Sequence, residues 1–365
     1  MNTQDVPQFK SVGFDSNAYA SLQKEDIRKR IRAVGNSTLY LEIGGKLFHD
    51  PHAARVLPGF KPDIKVDILK DIAEPFDIVF CINYSDILSN RQLYNHSTNY
   101  IEESLRLANQ LMVTFGIRPH IAVNKIKDDN NPQLAEAIKI FHENNFDISK
   151  RYYIEGYPED SKKILGEAGY GKDEYIPIKN KLVIVTGSAS NSGKMSTCLG
   201  QIYHEAKRGL NSGYAKYETF PIWNLPLEHP INLAYEAATA DIGDHNVIDI
   251  YHEKAYQQTS VNYNRDADAF RILKGLTKDI LPSNNLIQLY KSPTDMGINN
   301  AGFAIINDEL VSVASYVEII RRKHWYQELV NENLGEKAWV KVCEELEKEA
   351  LQYLRDHDYN PGLDI

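Results

Sequence analysis

Cysteine is scarce in this sequence, with Cys81, Cys198 and Cys343 the only three in 365 residues, and their spacing offers neither a CxxC pair nor a disulfide framework. The expected compartment is therefore the cytoplasm. An excess of positive charge is also missing: 41 Lys and Arg face 50 Asp and Glu, a formal net charge of -9. That balance argues against general binding to nucleic acid or to an anionic membrane, while leaving room for a local basic pocket. No apolar run approaches the roughly 20 residues that a membrane helix needs, and the opening MNTQDVPQFKSVGFD lacks the basic and apolar regions of a signal peptide. Internal repeats, low-complexity tracts, a complete GxGxxG fingerprint and an HExxH zinc motif are all absent.

With 42% hydrophobic and 25% charged residues, the chain has material for two domains or one elaborated domain. Helical spacing of apolar residues marks SLQKEDIRKRIRA, residues 21–33, with Leu22, Ile27 and Ile31 on one stripe. Strand candidates follow at Thr38 to Ile43, in FDIVFCIN from Phe76 to Asn83, in HIAVNKI and in SKRYYIEGY, with helices at Ile101 to Phe115 and in AEAIKIFHENN. Strands alternating with helices of this length predict parallel α/β construction, because each crossover returns the chain to the same end of the sheet. The expected architecture is two Rossmann-like or P-loop-like parallel-sheet domains: a Rossmann-like domain over residues 13–175, a P-loop-like α/β domain over 176–325, and a helical C-terminal segment over 326–365. The stretch between 160 and 180, rich in glycine and proline, reads as either a linker or a binding loop.

The sharpest local signal is strand, loop, helix, strand: KLVIVT, then GSASNSGK, then MSTCLGQIYHEAKRG, then SGYAKYETF. Small residues Gly187, Ser188, Ala189, Ser190, Asn191, Ser192 and Gly193 allow backbone amides to converge on an anion, and Lys194 opens the following helix, whose N-terminus favours negative charge. Five residues separate Gly187 from Gly193, one more than in GxxxxGK[ST], so the loop is a variant of the phosphate-binding pattern. Met195 stands where a magnesium-coordinating hydroxyl is usual; Ser196 and Thr197 are conditional substitutes. A phosphate or nucleotide site is the favoured reading, with another anion or a structural helix cap as alternatives.

Other residues gather chemistry around this loop. Lys216, Glu218 and Thr219 lie near the predicted C-terminal end of the next strand, where open parallel sheets place ligands. The five-residue gap and the strand lysine resemble the dethiobiotin-synthetase-like P-loop enzymes, a partial likeness that implies phosphate stabilisation by the lysines during activation of an acid or amine. Lys216, Asp241 and Arg265 are the candidate catalytic residues; surface, capping and Arg–Asp pairing roles compete with each. Asp241 or Asp244 is a candidate for holding Mg2+ through water. Trp223 reads as packing more readily than as a base-stacking platform. Lys46, His49 and Arg55, in GGKLFHDPHAAR, are candidates for holding an anionic substrate, with a domain interface as the alternative, and Lys291, Thr294 and Asp295 in YKSPTDMGINNAG are candidates for closing over a ligand, with a long ordered turn as the alternative. Gly44-Gly45 serves either a turn or an anion contact.

YLEIGGKLFHDPHAARVLPGF, EGYPEDSKKILGEAGYGKDEYI, the segment from VTGSASNSGKMSTC to AYEAATAD, and VNYNRD with KSPTDMGINNAG closely resemble the DUF1846 or UPF0371 family of conserved bacterial proteins. The resemblance runs from about Gly13 to about Trp325. It implies that Met195 is a family trait, since members carry the same Gly-Lys-Met; their loops are richer in glycine and proline than Ser188-Ala189-Ser190-Asn191, and they are commonly longer at the C-terminus. No reaction transfers with the resemblance. Two functions stay open: a nucleotide-dependent enzyme catalysing phosphoryl transfer or ATP-dependent acyl activation on a small phosphorylated molecule, and a non-catalytic nucleotide- or anion-responsive protein that assembles as a homo-oligomer. ATP or another nucleotide, with or without Mg2+, is the candidate cofactor.

Overall fold

The computed structural model describes residues 7–91 and 98–363; residues 1–6, part of the stretch read above for a leader, lie outside it. The strands are β1 (Leu39–Ile43), β2 (Phe76–Asn83), β3 (His120–Ile126), β4 (Ile148–Tyr152), β5 (Leu182–Gly187), β6 (Gly213–Tyr217), β7 (Asn246–Ile248), β8 (Val261–Tyr263) and β9 (Gly297–Ile298). The helices are α1 (Ser16–Ala33), α2 (Pro51–Val56), α3 (Ile64–Lys70), α4 (Tyr84–Ser89), α5 (Tyr100–Phe115), α6 (Pro132–Glu143), α7 (Ser161–Ile164), α8 (Lys194–Ala206), α9 (Pro230–Ala238), α10 (Ile250–Tyr256), α11 (Asn264–Thr277), α12 (Leu286–Leu289), α13 (Pro293–Met296), α14 (Asp308–Asn331) and α15 (Lys337–Asp356).

Seven strands form one parallel sheet in the order β4-β3-β2-β5-β1-β6-β9, and β7 and β8 form a separate antiparallel pair. Parallel α/β construction is as expected from the sequence; two separate sheets are not. β5 inserts between β2 and β1, and β1 in turn separates β5 from β6, so the segments read as two domains interleave in a single sheet. Apolar periodicity reports which residues are buried, and Leu39, Leu41, Val183 and Val185 are buried. It carries no information on strand order.

The central strands β1 and β5 are buried almost throughout, as expected of parallel strands covered on both faces by helices. Asp15 starts α1, its carboxylate accepting from the amides of Asn17 and Ala18, which moves the helix start ahead of the stripe visible in the sequence. Residues 166–173 pack tightly: Tyr170 is buried beside the Tyr203 ring of α8, and a β-carbon on Gly169 would lie 2.2 Å from the Ile164 carbonyl. Among the described residues no helix is long and apolar enough to cross a membrane.

The strand order defines a reversal. From β1 the chain crosses past β5 to β2 and continues outward to β3 and β4; from β5 it crosses past β1 to β6 and continues to β9. Right-handed crossovers running in opposite directions put the following helices on opposite faces and open a crevice beyond the carboxyl ends of β1 and β5. The two loops that leave those ends contain Gly44-Gly45-Lys46 and Gly187 to Lys194.

Candidate functional site

The loop after β1 is held by a buried lysine. Lys65 Nζ donates to the carbonyls of Gly44 (3.2 Å) and Lys46 (3.0 Å) and to Asp50 Oδ2 (3.1 Å). Gly44 is required by close approach, since a β-carbon there would meet the Tyr217 carbonyl at 2.8 Å, and Gly45 has a positive φ of 63°. Asp50 caps α2 through the Ala53 amide; burial works against its charge, but Lys65 and His52 hold its carboxyl below the usual range.

The loop after β5 is held by its carbonyls. Asn83 and Lys125 donate to the Asn191 carbonyl at 3.2 and 3.1 Å, Asn124 to the Ser192 carbonyl at 2.9 Å, and Arg91 to the Ser190 carbonyl at 3.5 Å. With the carbonyls turned toward the ends of β2 and β3, the N-terminus of α8 is the electropositive end that remains, and its N-cap Gly193 brings no capping side chain. Gly193 has φ 89°, and a β-carbon would crowd Asn124 at 2.8 Å. Ser192 is fully buried beneath Gly187, where a β-carbon would sit 2.2 Å from its hydroxyl. Ser188 shares a 2.7 Å hydrogen bond with the Tyr100 hydroxyl. Ala189, Ser190 and Asn191 form the outer part of the loop.

Of the two hydroxyls beyond Met195, Thr197 is committed to the scaffold: it is buried, 3.0 Å from both Asn124 Oδ1 and the Gly193 carbonyl. Ser196 is partly exposed. Lys194 lies 3.9 Å from Glu42 Oε1 on β1, and Glu42 also accepts from Tyr214. The Gly-Lys loop and the end of β1 therefore share one polar layer.

Lys216, level with Glu42 across β1 and β6, sits in a buried ionic cluster. Its ammonium lies 2.8 Å from Glu218 Oε1 and 2.5 Å from Asp266 Oδ1, and also donates to the Tyr263 hydroxyl. Burial disfavours the ammonium, but Asp266 and Glu218 outweigh it and hold the Lys216 pKa well above its ordinary value. The carboxyls are driven apart: burial and the neighbouring Asp266 push Glu218 well up, while Lys216 overcomes burial to keep Asp266 low. The two shifts run in opposite directions, so the proton of the pair is favoured on Glu218 and the charge on Asp266.

Two cavities border this region. One, of about 490 Å³, lies at the reversal and is lined by Lys46, His49, Arg106, Thr186, Gly187 and Ser188 among others. The other, of about 730 Å³, lies over β1 and β6, with Lys46, Arg55, Glu218, Asp241, Tyr263 and Arg322 in its wall. Lys46 borders both. Burial draws the Lys46 ammonium pKa down, against the pull of Asp50.

The remaining sequence candidates divide. Asp241, in a short 3-10 turn, faces the larger cavity and accepts from Tyr326 at 3.2 Å. Arg265 reaches Asp244 at 2.6 Å, while the adjacent Asp266 turns to Lys216. Lys291, Thr294 and Asp295 line neither cavity: Thr294 donates to Asp249 at 2.7 Å, Asp295 accepts from Tyr256 at 2.8 Å, and Lys291 lies over the Tyr256 ring. Trp223 packs against His252 and Phe303 and donates to the Asn299 carbonyl. Among the described residues, no three His, Cys, Asp or Glu side chains gather as a cation site.

Glu42, Lys65 and the face of α14 that carries Glu318, Arg322 and Trp325 join this region only through tertiary packing. The spacing of Glu318, Arg321, Arg322 and Trp325 in EIIRRKHW was the available signal, because residues three and four apart share a helix face.

Fold and site together define a parallel α/β protein with two glycine-bearing loops meeting at a reversal of its sheet. The chain belongs to the DUF1846/UPF0371 family of bacterial proteins: the family described as "Domain of unknown function DUF1846, N-terminal" matches residues 12–350. That match extends past residue 325, where the motifs legible in the sequence stop, and takes in most of α15. A UPF0371 protein of Corynebacterium diphtheriae is 45% identical over 322 residues, covering 88% of this chain and 63% of the relative. One from Corynebacterium efficiens is 42% identical over 325 residues, covering 89% and 64%, and one from Streptococcus pyogenes is 43% identical over 337 residues, covering 91% and 66%. The chain thus spans just under two thirds of the length of these relatives.

Proposed function

We propose that this chain binds a nucleotide or a related phosphorylated small molecule in the crevice between the ends of β1 and β5. The carrying observation is the opposed departure of the chain from these adjacent strands, which brings Gly44-Gly45-Lys46 beside the Gly187 to Lys194 loop. Support comes from the uncapped N-terminus of α8 and two lysines, 46 and 194, of which Lys46 borders both cavities. Phosphate groups would contact the first turn of α8 and Lys194, with Ser196 as the remaining hydroxyl for a magnesium ion.

Phosphoryl transfer or ATP-dependent acyl activation is the reaction class this arrangement supports, with the second substrate in the cavity over β1 and β6. There Asp241 and Glu218 face the ligand space, and Lys216 holds Glu218 at 2.8 Å. Binding without turnover is the second reading, and one observation favours it: the Lys216 ammonium is already engaged by Asp266, Glu218 and Tyr263.

Titration of the protein with ATP, with and without magnesium at fixed ionic strength, tests the proposal. Lys194→Ala should weaken ATP binding about 10- to 150-fold, the equivalent of the roughly 1.5–3 kcal/mol that a charge-assisted hydrogen bond contributes. Unchanged affinity in a folded variant would refute the placement of the phosphates.

A further inference from the structure

The cavity over β1 and β6 has a wall that the Gly-Lys loop does not touch. α14 and α15 cover it, contributing Arg322, Trp325, Leu329 and Trp339. Beneath that wall, Glu318 is almost completely buried and accepts from Arg55 Nε at 2.8 Å, Arg321 Nε at 2.6 Å, Arg322 Nε at 3.2 Å and His52 Nδ1 at 3.3 Å. Three guanidinium groups thus surround one carboxylate, and two of them, Arg55 and Arg322, line the cavity with Lys46 and Lys65 against the acidic Asp50, Glu218 and Asp241. Lys46 lines the same space, and Asp50 is occupied by Lys65.

Beside Arg322, on the same wall, is an apolar, aromatic surface. Trp325 and Trp339 flank the buried Tyr326, and Arg322 lies 5.3 Å from the Trp325 ring, a distance at which guanidinium and indole attract. His52, whose Nδ1 faces the Glu318 carboxylate, has its buried Nε2 without a hydrogen-bond partner among the described residues. Concave, largely apolar space with a few convergent polar groups is the usual form of a small-molecule site. A bare inorganic anion would leave the aromatic wall unused, and a neutral ring would leave the guanidinium charge unanswered.

We propose that this cavity is a separate binding site for a small anion with a planar or apolar body, the anion held by Arg322 with Lys46 and the body laid on Trp325 and Trp339. Phosphate and carboxylate meet the same guanidinium chemistry. Calling this molecule the second substrate rests on the function proposed above; the site itself does not.

Quenching of tryptophan fluorescence by phenyl phosphate and by benzoate, with benzyl alcohol as the neutral counterpart and inorganic phosphate as the ring-free one, tests the site. Saturable binding of phenyl phosphate or benzoate is expected, at least about tenfold tighter than either control; which of the two binds identifies the anion. Arg322→Gln should abolish saturation, Arg322→Lys should recover part of it, and Trp339→Leu should weaken binding with the melting temperature little changed. Lys194→Ala should leave phenyl phosphate binding intact while weakening ATP, so failure of one site is distinguishable from failure of the other. Equal binding of benzyl alcohol, no saturable binding by either planar anion, or identical affinities in wild type, Arg322→Gln and Trp339→Leu would overturn the proposal.

Discussion

Asp266→Asn and Glu218→Gln, made singly and together, ask which carboxyl neutralises the buried Lys216. All three side chains are 4–8% exposed, so the cluster is largely desolvated. With the charge on Asp266 and a proton on Glu218, Glu218→Gln exchanges one neutral polar group for another and should cost only about 0.5–1.5 kcal/mol, the net contribution of a hydrogen bond. Asp266→Asn removes the charge, but it also removes the repulsion that keeps Glu218 protonated. Glu218, 2.8 Å from the ammonium, then ionises and takes over the pair, limiting the loss to about 1–3 kcal/mol. The double variant leaves Lys216 without a carboxylate and should lose at least the roughly 3–5 kcal/mol typical of a broken buried pair. Urea unfolding of the four proteins at pH 7 gives the cycle. A Glu218→Gln cost greater than that of Asp266→Asn, or a double variant less destabilised than the sum of the singles, would refute this charge assignment.

Glu318→Gln should destabilise the protein by about 3–5 kcal/mol at pH 7, because Arg55, Arg321 and Arg322 lose their common carboxylate. Burial opposes the charge on Glu318, but Arg321, His52 and Arg322 hold its folded pKa well below the ordinary 4.5, so its contribution is present above that value and disappears as pH falls through the folded pKa. Unfolding curves of variant and wild type should therefore converge in acid. Gly44→Ala should cost about 1–3 kcal/mol, since its β-carbon would meet the Tyr217 carbonyl at 2.8 Å between two packed strands; thermal unfolding checks this.

Much of the fold was legible locally. The limits of β2 follow from FDIVFCIN, and α8 from the Gly-Lys pair with Leu199, Ile202 and Ala206 behind it. The single sheet was not legible, because placing β5 between β2 and β1 depends on long-range pairing that leaves the apolar pattern of each strand unchanged. At the site, Lys194, Lys46 and Lys216 stood out through neighbouring glycines and strand ends. Lys65 and Glu42 gave no such sign, since a lysine on a helix and a glutamate in a strand read as solvent-facing until tertiary packing buries them. Thr197 illustrates the opposite limit: its position after Gly-Lys-Met suggested a ligand hydroxyl, whereas the first turn of α8 directs it inward to Asn124. Residues 291–295 stood out through their small polar character, and their hydrogen bonds to Asp249 and Tyr256 are tertiary contacts that the sequence does not display.

Hydrogen exchange of the backbone amides across residues 187–197, followed with and without ATP, addresses the central claim most directly. A phosphate seated in the crevice should slow exchange in this loop and in the first turn of α8, with the effect lost in Lys194→Ala. Saturating ATP that protects other segments while leaving these amides unchanged would contradict the claim that this loop holds the phosphates.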